Sequence, residues 1–329
     1  MNNSIEKENN DKIEYKIDTP LPYYAEEYLL YMDVTLNKSA NTLKEYRYDL
    51  IMFFTYMHNR KKLFKEIADY DETFIRSVKL ADFYAFEKYL KAQRNEQSRT
   101  IARKVSCLKS FFKYLLTKAK IIDVNPAAEL ESPKIPKNLP VYLELNESRD
   151  LLKSVEGENE LRDYCILTLF LNCGMRVSEL AGINISSIKD DHLTVHGKGD
   201  KERTVYLNNA CIKAIDDYLK VRPNLDKDDP SFDALFLSER KQRMSIKTIQ
   251  YNVKKYITKA GLDPTKYTTH KLRHTAATLM YLYGDVDIRS LQEILGHESV
   301  ATTEIYTHVN KAKLAEAVKN NPLANEEKD

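Results

Sequence analysis

The chain has 329 residues, and its 51 basic side chains nearly balance its 49 acidic ones. This length suggests two domains of ordinary size, and the near balance means that net charge alone does not indicate a nucleic-acid partner. Only 8 glycines accompany many Lys, Glu, Leu and Ala residues, a composition that favours helices over an all-β sandwich.

The cysteines and the apolar segments argue against several classes of protein. Cys107, Cys165, Cys173 and Cys211 include no CxxC pair, which disfavours zinc and is usual in a reducing compartment. The N-terminus lacks the apolar segment of a signal peptide. The most apolar run, residues 164–173, is shorter than the about 20 residues of a membrane span. These features predict a cytoplasmic, nucleoid-associated protein with no membrane segment and no metal.

The first half of the chain is predicted to be helical. Residues 1–20 are polar and indicate a disordered arm. From there to residue 120, apolar side chains recur at intervals of three and four, as in the helix that Ser39 can cap. Residues 121–140 contain four prolines, which a helix cannot accommodate, and they predict an extended linker.

A basic helix is predicted from Ser98 to Ala119. Between residues 94 and 120 the chain has eight Lys or Arg side chains and a single acid, Glu96. One interpretation is a solvated helix face. The other is phosphate contact from a helix in a DNA groove. The candidates for DNA contact are Arg99, Arg103, Lys109 and Lys113.

The second domain is predicted to run from about Val141 to residue 329. Residues 161–181 predict one buried helix that ends near Gly182, and residues 192–207 alternate as a β-hairpin that turns at its glycines. Further helices are predicted near 245–260, 272–283, 287–295, 301–306 and 311–319. The predicted fold class is mainly α, with a small antiparallel β-sheet in the second domain.

Six polar residues of this domain lie in distinctive short motifs. They are Arg176 in GMRVSEL, Lys198 in HGKGD, His270 and Arg273 in HKLRH, His297 in LGH, and Tyr306 nine residues later. A guanidinium group suits a phosphate because its planar fork donates two parallel hydrogen bonds. Imidazole and ammonium groups can transfer protons, and a phenol can attack phosphorus. Together these groups can break a phosphodiester without a metal or a nucleotide.

Each motif taken singly also has a structural explanation. Arg176 can form an ion pair with Glu179, three residues later. Lys198 can be an ordinary solvated hairpin lysine, since the turn lacks the P-loop pattern. His297 follows a glycine that can end a helix in a left-handed turn, so it can be a satisfied helix-end histidine.

The histidine pair His270 and His274, and the choice among the tyrosines, also allow more than one interpretation. His270 and His274 have the spacing of a zinc helix, but Lys271 stands where the HExxH pattern has its glutamate. His274 is therefore expected to pack or to cap. The chain has 22 tyrosines, so Tyr306 is distinguished from neighbours such as Tyr281 only by the motif around it.

In this order and spacing, the motifs closely resemble those of the tyrosine recombinase family, and within it the short Xer-type recombinases. The resemblance extends from about Leu145 to Val318, and the helices of the first half are similar to that family's core-binding domain. It implies a helical, DNA-binding core-binding domain at 21–120 and an α+β catalytic domain at 141–329. The basic helix would then contact the major groove.

The resemblance also implies a role for each of the six residues. Tyr306 would form a 3′-phosphotyrosyl link and free a 5′ hydroxyl, while the two arginines hold the phosphate. Lys198 would act as general acid, His270 would assist proton transfer from the tyrosine, and His297 would donate to a phosphate oxygen. No cofactor is implied, because the phosphotyrosine stores the energy of the broken bond.

The expected function is site-specific recombination by a homo- or hetero-tetramer on two double-stranded DNA sites, through a Holliday junction. Xer-type resolution of chromosome or plasmid dimers is the first hypothesis, with a regulatory motor or accessory protein as a further partner. The same chemistry on a mobile element or an invertible switch is the alternative. A non-catalytic DNA-binding relative is the third, but such a protein would have no use for Tyr306.

Overall fold

The computed structural model describes residues 16–134, 140–197 and 202–297, together with 299, 302, 303, 305 and 306. The chain forms two compact units, 1–137 and 138–329. Most of the predicted N-terminal arm, Lys198 at the hairpin turn and the predicted helix at 311–319 lie outside the described residues. Within the described part of the chain, no helix is both long and apolar enough to cross a membrane.

The described part of the first unit consists of helices and loops. The helices are α1 (Tyr23–Val34), α2 (Ala40–Lys61), α3 (Glu72–Arg76), α4 (Leu80–Ala92) and α5 (Ser98–Thr117). The side chain of Ser39 accepts a hydrogen bond from the backbone N–H of Thr42 at 3.3 Å, which confirms the predicted cap of α2.

Aromatic side chains fill the core of this unit. The rings of Phe53 on α2 and Phe83 on α4 stack with centroids 5.6 Å apart. Phe112 on α5 meets Phe83 edge to face at 5.1 Å. Such pairs add specific geometry to the burial of large apolar surfaces, so α2, α4 and α5 are fixed against one another by their apolar faces.

The second unit contains seven further helices and one hairpin among its described residues. They are α6 (Leu145–Lys153), α7 (Glu160–Cys173), α8 (Val177–Ala181), β1 (His192–His196), β2 (Glu202–Tyr206), α9 (Asn209–Val221), α10 (Ile246–Lys259), α11 (Thr269–Tyr283) and α12 (Ile288–Leu295). The mainly helical fold with a small antiparallel sheet is therefore confirmed.

The single helix predicted over residues 161–181 is wrong, because the chain breaks at Gly174. This residue adopts φ +59°, a left-handed conformation that ends α7. A Cβ at this position would lie 2.8 Å from Leu295 Cδ2, so α12 packs closely against the break. The break allows a new helix, α8, to begin directly after Arg176.

The hairpin carries one charged residue on its inner face. In the antiparallel register Leu193 pairs with Val205, and Val195 pairs with Arg203. Paired residues of a two-stranded sheet lie on the same face. Leu193, Val195 and Val205 are buried, so Arg203 lies on the side of the hairpin that faces the core.

Candidate active site

Arg176 is held by the helix that it precedes. Its backbone N–H donates to Glu179 Oε2 at 2.7 Å, and its Nη1 donates to Glu179 Oε1 at 2.7 Å. The ion pair expected between these two residues is thus present, and it fixes the guanidinium at the start of α8. Nη2 donates to the carbonyl of Gly296 at 2.9 Å.

Arg273 lies four residues into α11 and is almost fully buried. Its Nη1 donates to the carbonyl of Gly174 at 2.8 Å, and its Nη2 donates to the carbonyl of Leu295 at 2.5 Å. Burial, together with the charge of Arg176, lowers the pKa of Arg273 to about 10. The guanidinium therefore remains charged at neutral pH. The structure brings the two predicted arginines together around Glu179, whose Oε2 is 3.8 Å from Arg273 Nη1.

A third arginine, Arg203, which lies in none of the six motif positions, completes the cluster. Arg203 donates from Nε and Nη2 to the two carboxylate oxygens of Glu179, at 3.3 and 2.8 Å. Its signal in the sequence was a charged residue at an inward position of the alternating hairpin. Glu179 was also not selected as a site residue, although its side chain is fully buried and contacts all three arginines.

The cluster carries an excess of positive charge. Three guanidinium groups face one carboxylate, and the carbonyls at the end of α12 contribute only partial negative charge. Burial alone would raise the pKa of Glu179, but the hydrogen bonds and charges of Arg203 and Arg176 outweigh this effect and lower it. Arg176 is the most accessible of the three, with 34% of its side chain exposed, against 12% for Arg203 and 3% for Arg273. The cluster can therefore bind an anion through Arg176.

His297 follows the left-handed glycine that ends α12. Gly296 adopts φ +62°, as the sequence predicted for a helix-ending Gly-His pair. The backbone N–H of His297 donates to the carbonyl of Gln292 at 3.1 Å, and its Nδ1 is 2.9 Å from the hydroxyl of Thr303. Burial lowers the pKa of His297 to about 4, and the nearby arginines add to this effect. The imidazole is therefore neutral at pH 7.

Tyr306 is buried, with 1% of its surface exposed, and packs against Ala277, Leu291 and Leu295. Its phenolic oxygen is 2.7 Å from Nδ1 of His274. Burial raises the pKa of Tyr306 to about 12. The phenol is therefore protonated at neutral pH, and it can donate this hydrogen bond to a neutral imidazole.

His274, expected only to pack or cap, is thus the imidazole in contact with the phenol. Burial lowers its pKa to about 4, and the neighbouring His270 and cationic side chains add to this effect. The His270 and His274 rings meet edge to face with centroids 4.6 Å apart. The contact could not be read from the motif, because it depends on how residue 306 folds back onto α11. Lys198 lies outside the described residues.

The four DNA-contact candidates on α5 differ in their surroundings. Arg99 and Lys113 are exposed. Arg103 instead forms ion pairs with Glu45, at 3.2 Å, and with the buried Asp49. Lys109 donates to the carbonyl of Leu130 at 2.8 Å. Within the described residues, no group of three or more His, Cys, Asp or Glu side chains is placed to hold a metal ion.

Comparison with known proteins assigns both units. Residues 142–313 match the phage integrase family, and residues 25–119 match the phage integrase N-terminal SAM-like domain. The tyrosine recombinase XerC of Caldanaerobacter subterraneus subsp. tengcongensis is 52% identical over 313 residues, which cover 93% of this chain and 88% of the relative. The tyrosine recombinase XerD of Proteus mirabilis is 36% identical over 281 residues, covering 84% and 85%.

The fold also matches solved structures. The XerH site-specific recombinase bound to palindromic difH substrate, in a post-cleavage complex, has a TM-score of 0.67 and 23% identity, covering 90% of this chain and 84% of that one. At this identity the likeness shows the fold alone. The matched motifs, the extent of the family domains and the 52% identity agree with one another. The chain belongs to the phage integrase family and, within it, to the Xer-type tyrosine recombinases.

Proposed function

We propose that this recombinase cuts DNA with the Tyr306 phenol and rejoins it through a 3′-phosphotyrosyl intermediate. The observation that carries the proposal is the convergence of Arg176 and Arg273 on one buried carboxylate, Glu179, beside α11. The imidazole directly after Arg273 in the sequence contacts the phenolic oxygen of Tyr306 at 2.7 Å. An anion-binding group and a nucleophile thus lie on the same part of the unit.

In the proposed reaction the arginines neutralise the scissile phosphate. The exposed guanidinium of Arg176 can donate to a non-bridging oxygen, and the buried charge of Arg273 can help to stabilise the negative charge of these oxygens in the transition state. His297, neutral because its pKa is about 4, can donate a further hydrogen bond from Nε2 while Nδ1 accepts from Thr303. Removing one such donor typically slows a reaction by about 10²–10³.

The proposed attack moves two protons. The phenolic oxygen of Tyr306 bonds to phosphorus while the bond to the 5′ oxygen breaks. The phenolic proton passes to an imidazole, with His274 in contact and His270 beside it. The departing 5′ oxygen takes a proton from Lys198, the residue that the resemblance assigns as general acid. Rejoining is the reverse reaction with the 5′ hydroxyl of a new strand.

DNA binding is proposed to use the basic face of α5 in the first unit. Arg99 and Lys113 are exposed and suited to phosphate contact. Arg103 is held by Glu45 and Asp49, so its contact with phosphate requires it to share or exchange these partners. Lys109 donates to the backbone carbonyl of Leu130, so its contact with phosphate likewise requires it to share or exchange a partner.

The biological role proposed is Xer-type resolution of chromosome or plasmid dimers, by a tetramer of identical or paired recombinases on two DNA sites. The high identity to a XerC protein along nearly the whole chain supports this role. Mapping the binding sites of the protein in its own genome tests it. One site per chromosome or plasmid is the expected result. Binding confined to the ends of a mobile or invertible segment would support the alternative instead.

The chemical part of the proposal is tested with a suicide substrate, a duplex target site nicked next to the scissile phosphate. The wild-type protein should form a covalent adduct that survives a denaturing gel. Tyr306→Phe should bind the same duplex and form no adduct, because it lacks only the attacking oxygen. An adduct with the Phe variant would overturn the assignment of the nucleophile.

A further inference from the structure

The side chain of Arg203 donates hydrogen bonds to other groups of the protein. It is the second residue of β2 and lies on the inner face of the hairpin, where only 12% of its side chain is exposed. Nε and Nη2 donate to the two oxygens of Glu179, and Nη1 donates to the carbonyl of Ile294 at 2.6 Å. Each of its three guanidinium nitrogens therefore donates to a protein group, and its side chain is much less exposed than that of Arg176, so Arg203 is less suited to direct contact with phosphate.

The first target of Arg203 is the carboxylate that aims Arg176. Glu179 binds the backbone and the guanidinium of Arg176 with the same two oxygens that Arg203 holds from the other side. A two-point contact between a guanidinium and a carboxylate fixes the orientation of both groups. Without Arg203, Glu179 would lose two of its charged hydrogen bonds in a buried setting, and its hold on Arg176 would become less defined.

The second target is the end of α12. Three successive carbonyls there accept from three different arginines: Ile294 from Arg203, Leu295 from Arg273 and Gly296 from Arg176. Cationic groups are favourable at this end of a helix because its carbonyls lack partners and carry partial negative charge. The arginine cluster therefore shares one scaffold with the turn that leads into His297.

Arg203 also lies directly against that turn. A Cβ added to Gly296 would be 2.7 Å from Arg203 Cδ and 3.2 Å from its Nε. Gly296 is thus required both for its φ of +62° and for the space that Arg203 occupies. Any movement of the Arg203 side chain would change the packing under the residue that precedes His297.

We propose that Arg203 is a positioning residue of the recombination site, which holds Glu179 and the end of α12 so that Arg176 and His297 meet the same phosphate. The inference rests on the proposed function and adds a residue to it. Arg203 acts on the charge of the phosphate only through Arg176 and His297. Its loss should therefore matter most when that charge has to be neutralised.

The test measures single-turnover adduct formation by the full-length protein on two suicide substrates. One has a normal scissile phosphate, and the other has a methyl group in place of one non-bridging oxygen, which removes the negative charge. On the phosphate, Arg203→Ala should slow cleavage about 10²-fold, the size expected for a misplaced donor. Arg203→Lys should also be slow, because one ammonium cannot reproduce the two-point contact. Affinity for the target site should change less than about threefold.

On the methylphosphonate the difference between wild type and Arg203→Ala should shrink at least about tenfold, since little charge remains to be neutralised. An equal defect on both substrates would overturn the proposal. If neither protein cleaves the methylphosphonate, the double-mutant comparison on the phosphate substrate decides: additive effects of Arg203→Ala and Glu179→Gln would then overturn it. Non-additive effects in that double-mutant comparison are expected, because both changes act on one contact.

Two controls separate this inference from its alternatives. Arg222 also donates to several backbone carbonyls of the second unit, among them those of Phe232 and Ala234, each at 2.8 Å. Arg222→Ala reports the effect of losing a merely structural arginine, and it should show no dependence on the substrate. If the wild-type protein forms no adduct on the phosphate substrate, the proposed function itself fails, whereas normal cleavage by Arg203→Ala removes only the role of Arg203.

Discussion

The Nδ1 atom of His274 lies 2.7 Å from the phenolic oxygen of Tyr306; the tyrosine is buried and the histidine is half-buried. Burial raises the pKa of the phenol to about 12, so it stays protonated well above neutral pH. The negative charge of a bound phosphate would counteract the surrounding cations that help to keep the pKa of His274 low.

The first prediction concerns this contact. Asn can accept the hydrogen bond of the phenol but cannot take up its proton, so His274→Asn should slow cleavage about 10²-fold, in the usual range of general base catalysis. His270→Asn is the comparison on the same helix face, because the resemblance assigns the proton transfer to His270. If His274→Asn cleaves at the wild-type rate while His270→Asn is slow, the phenolic proton goes to His270 and the contact with His274 only stores the phenol.

The second prediction concerns stability against acid. His274 and His297 have a pKa of about 4 in the folded protein, against about 6.5 in an unfolded chain. The unfolded state therefore takes up protons first as the pH falls. Their contribution to stability is complete above pH about 6.5 and declines as the pH approaches about 4. Thermal unfolding at a series of pH values should show this decline, and His297→Gln should make it shallower. An unchanged slope would contradict the prediction.

The third prediction concerns the break between α7 and α8. Gly174→Ala should destabilise the second unit by about 1–3 kcal/mol, because a Cβ is strained at positive φ and would clash with Leu295. Gly261 has φ +73° and nothing within 4 Å of the position that a Cβ would take, so Gly261→Ala isolates the backbone strain. Denaturant unfolding should show the larger loss at position 174. Equal losses would mean that packing against α12 is unimportant there.

The fourth prediction separates the candidates on α5. Replacing Arg99 and Lys113 with Ala should leave folding unchanged. The slope of the logarithm of the DNA-binding constant against the logarithm of the salt concentration should become shallower by about 0.9 for each lost phosphate contact. Arg103→Ala should in addition destabilise the first unit, because it removes one of the partners of the buried Asp49. A salt dependence that stays the same in the double variant would favour the solvated helix face instead.

The sequence predicted those parts of the fold and the site that depend on local patterns. The alternating hairpin and the periodicity of α5 and α11 gave the correct elements, and the motifs around Arg176 and Arg273 identified two residues that do converge. The break at Gly174 was missed because one glycine does not disturb a strongly apolar helical pattern. The close approach of Leu295 to this glycine, 121 residues further along the chain, has no local signal either.

Contacts between segments that are distant along the chain could not be predicted from local sequence patterns. Arg203 could have been noticed as a charge on the inward face of the hairpin, but nothing local indicates that it binds Glu179 and Ile294. His274 could likewise be assigned only a packing role. Its contact with Tyr306 joins residues 32 positions apart, and a motif in the sequence does not report a contact of this range.

Tyr306 is the residue that we expect to become linked to DNA. The most direct measurement is mass spectrometry of the trapped protein–DNA adduct after digestion of both the protein and the DNA. We expect a single modified peptide, with a nucleotide attached through its 3′ phosphate to Tyr306. Attachment to a neighbouring tyrosine such as Tyr281, or through a 5′ phosphate, would contradict it.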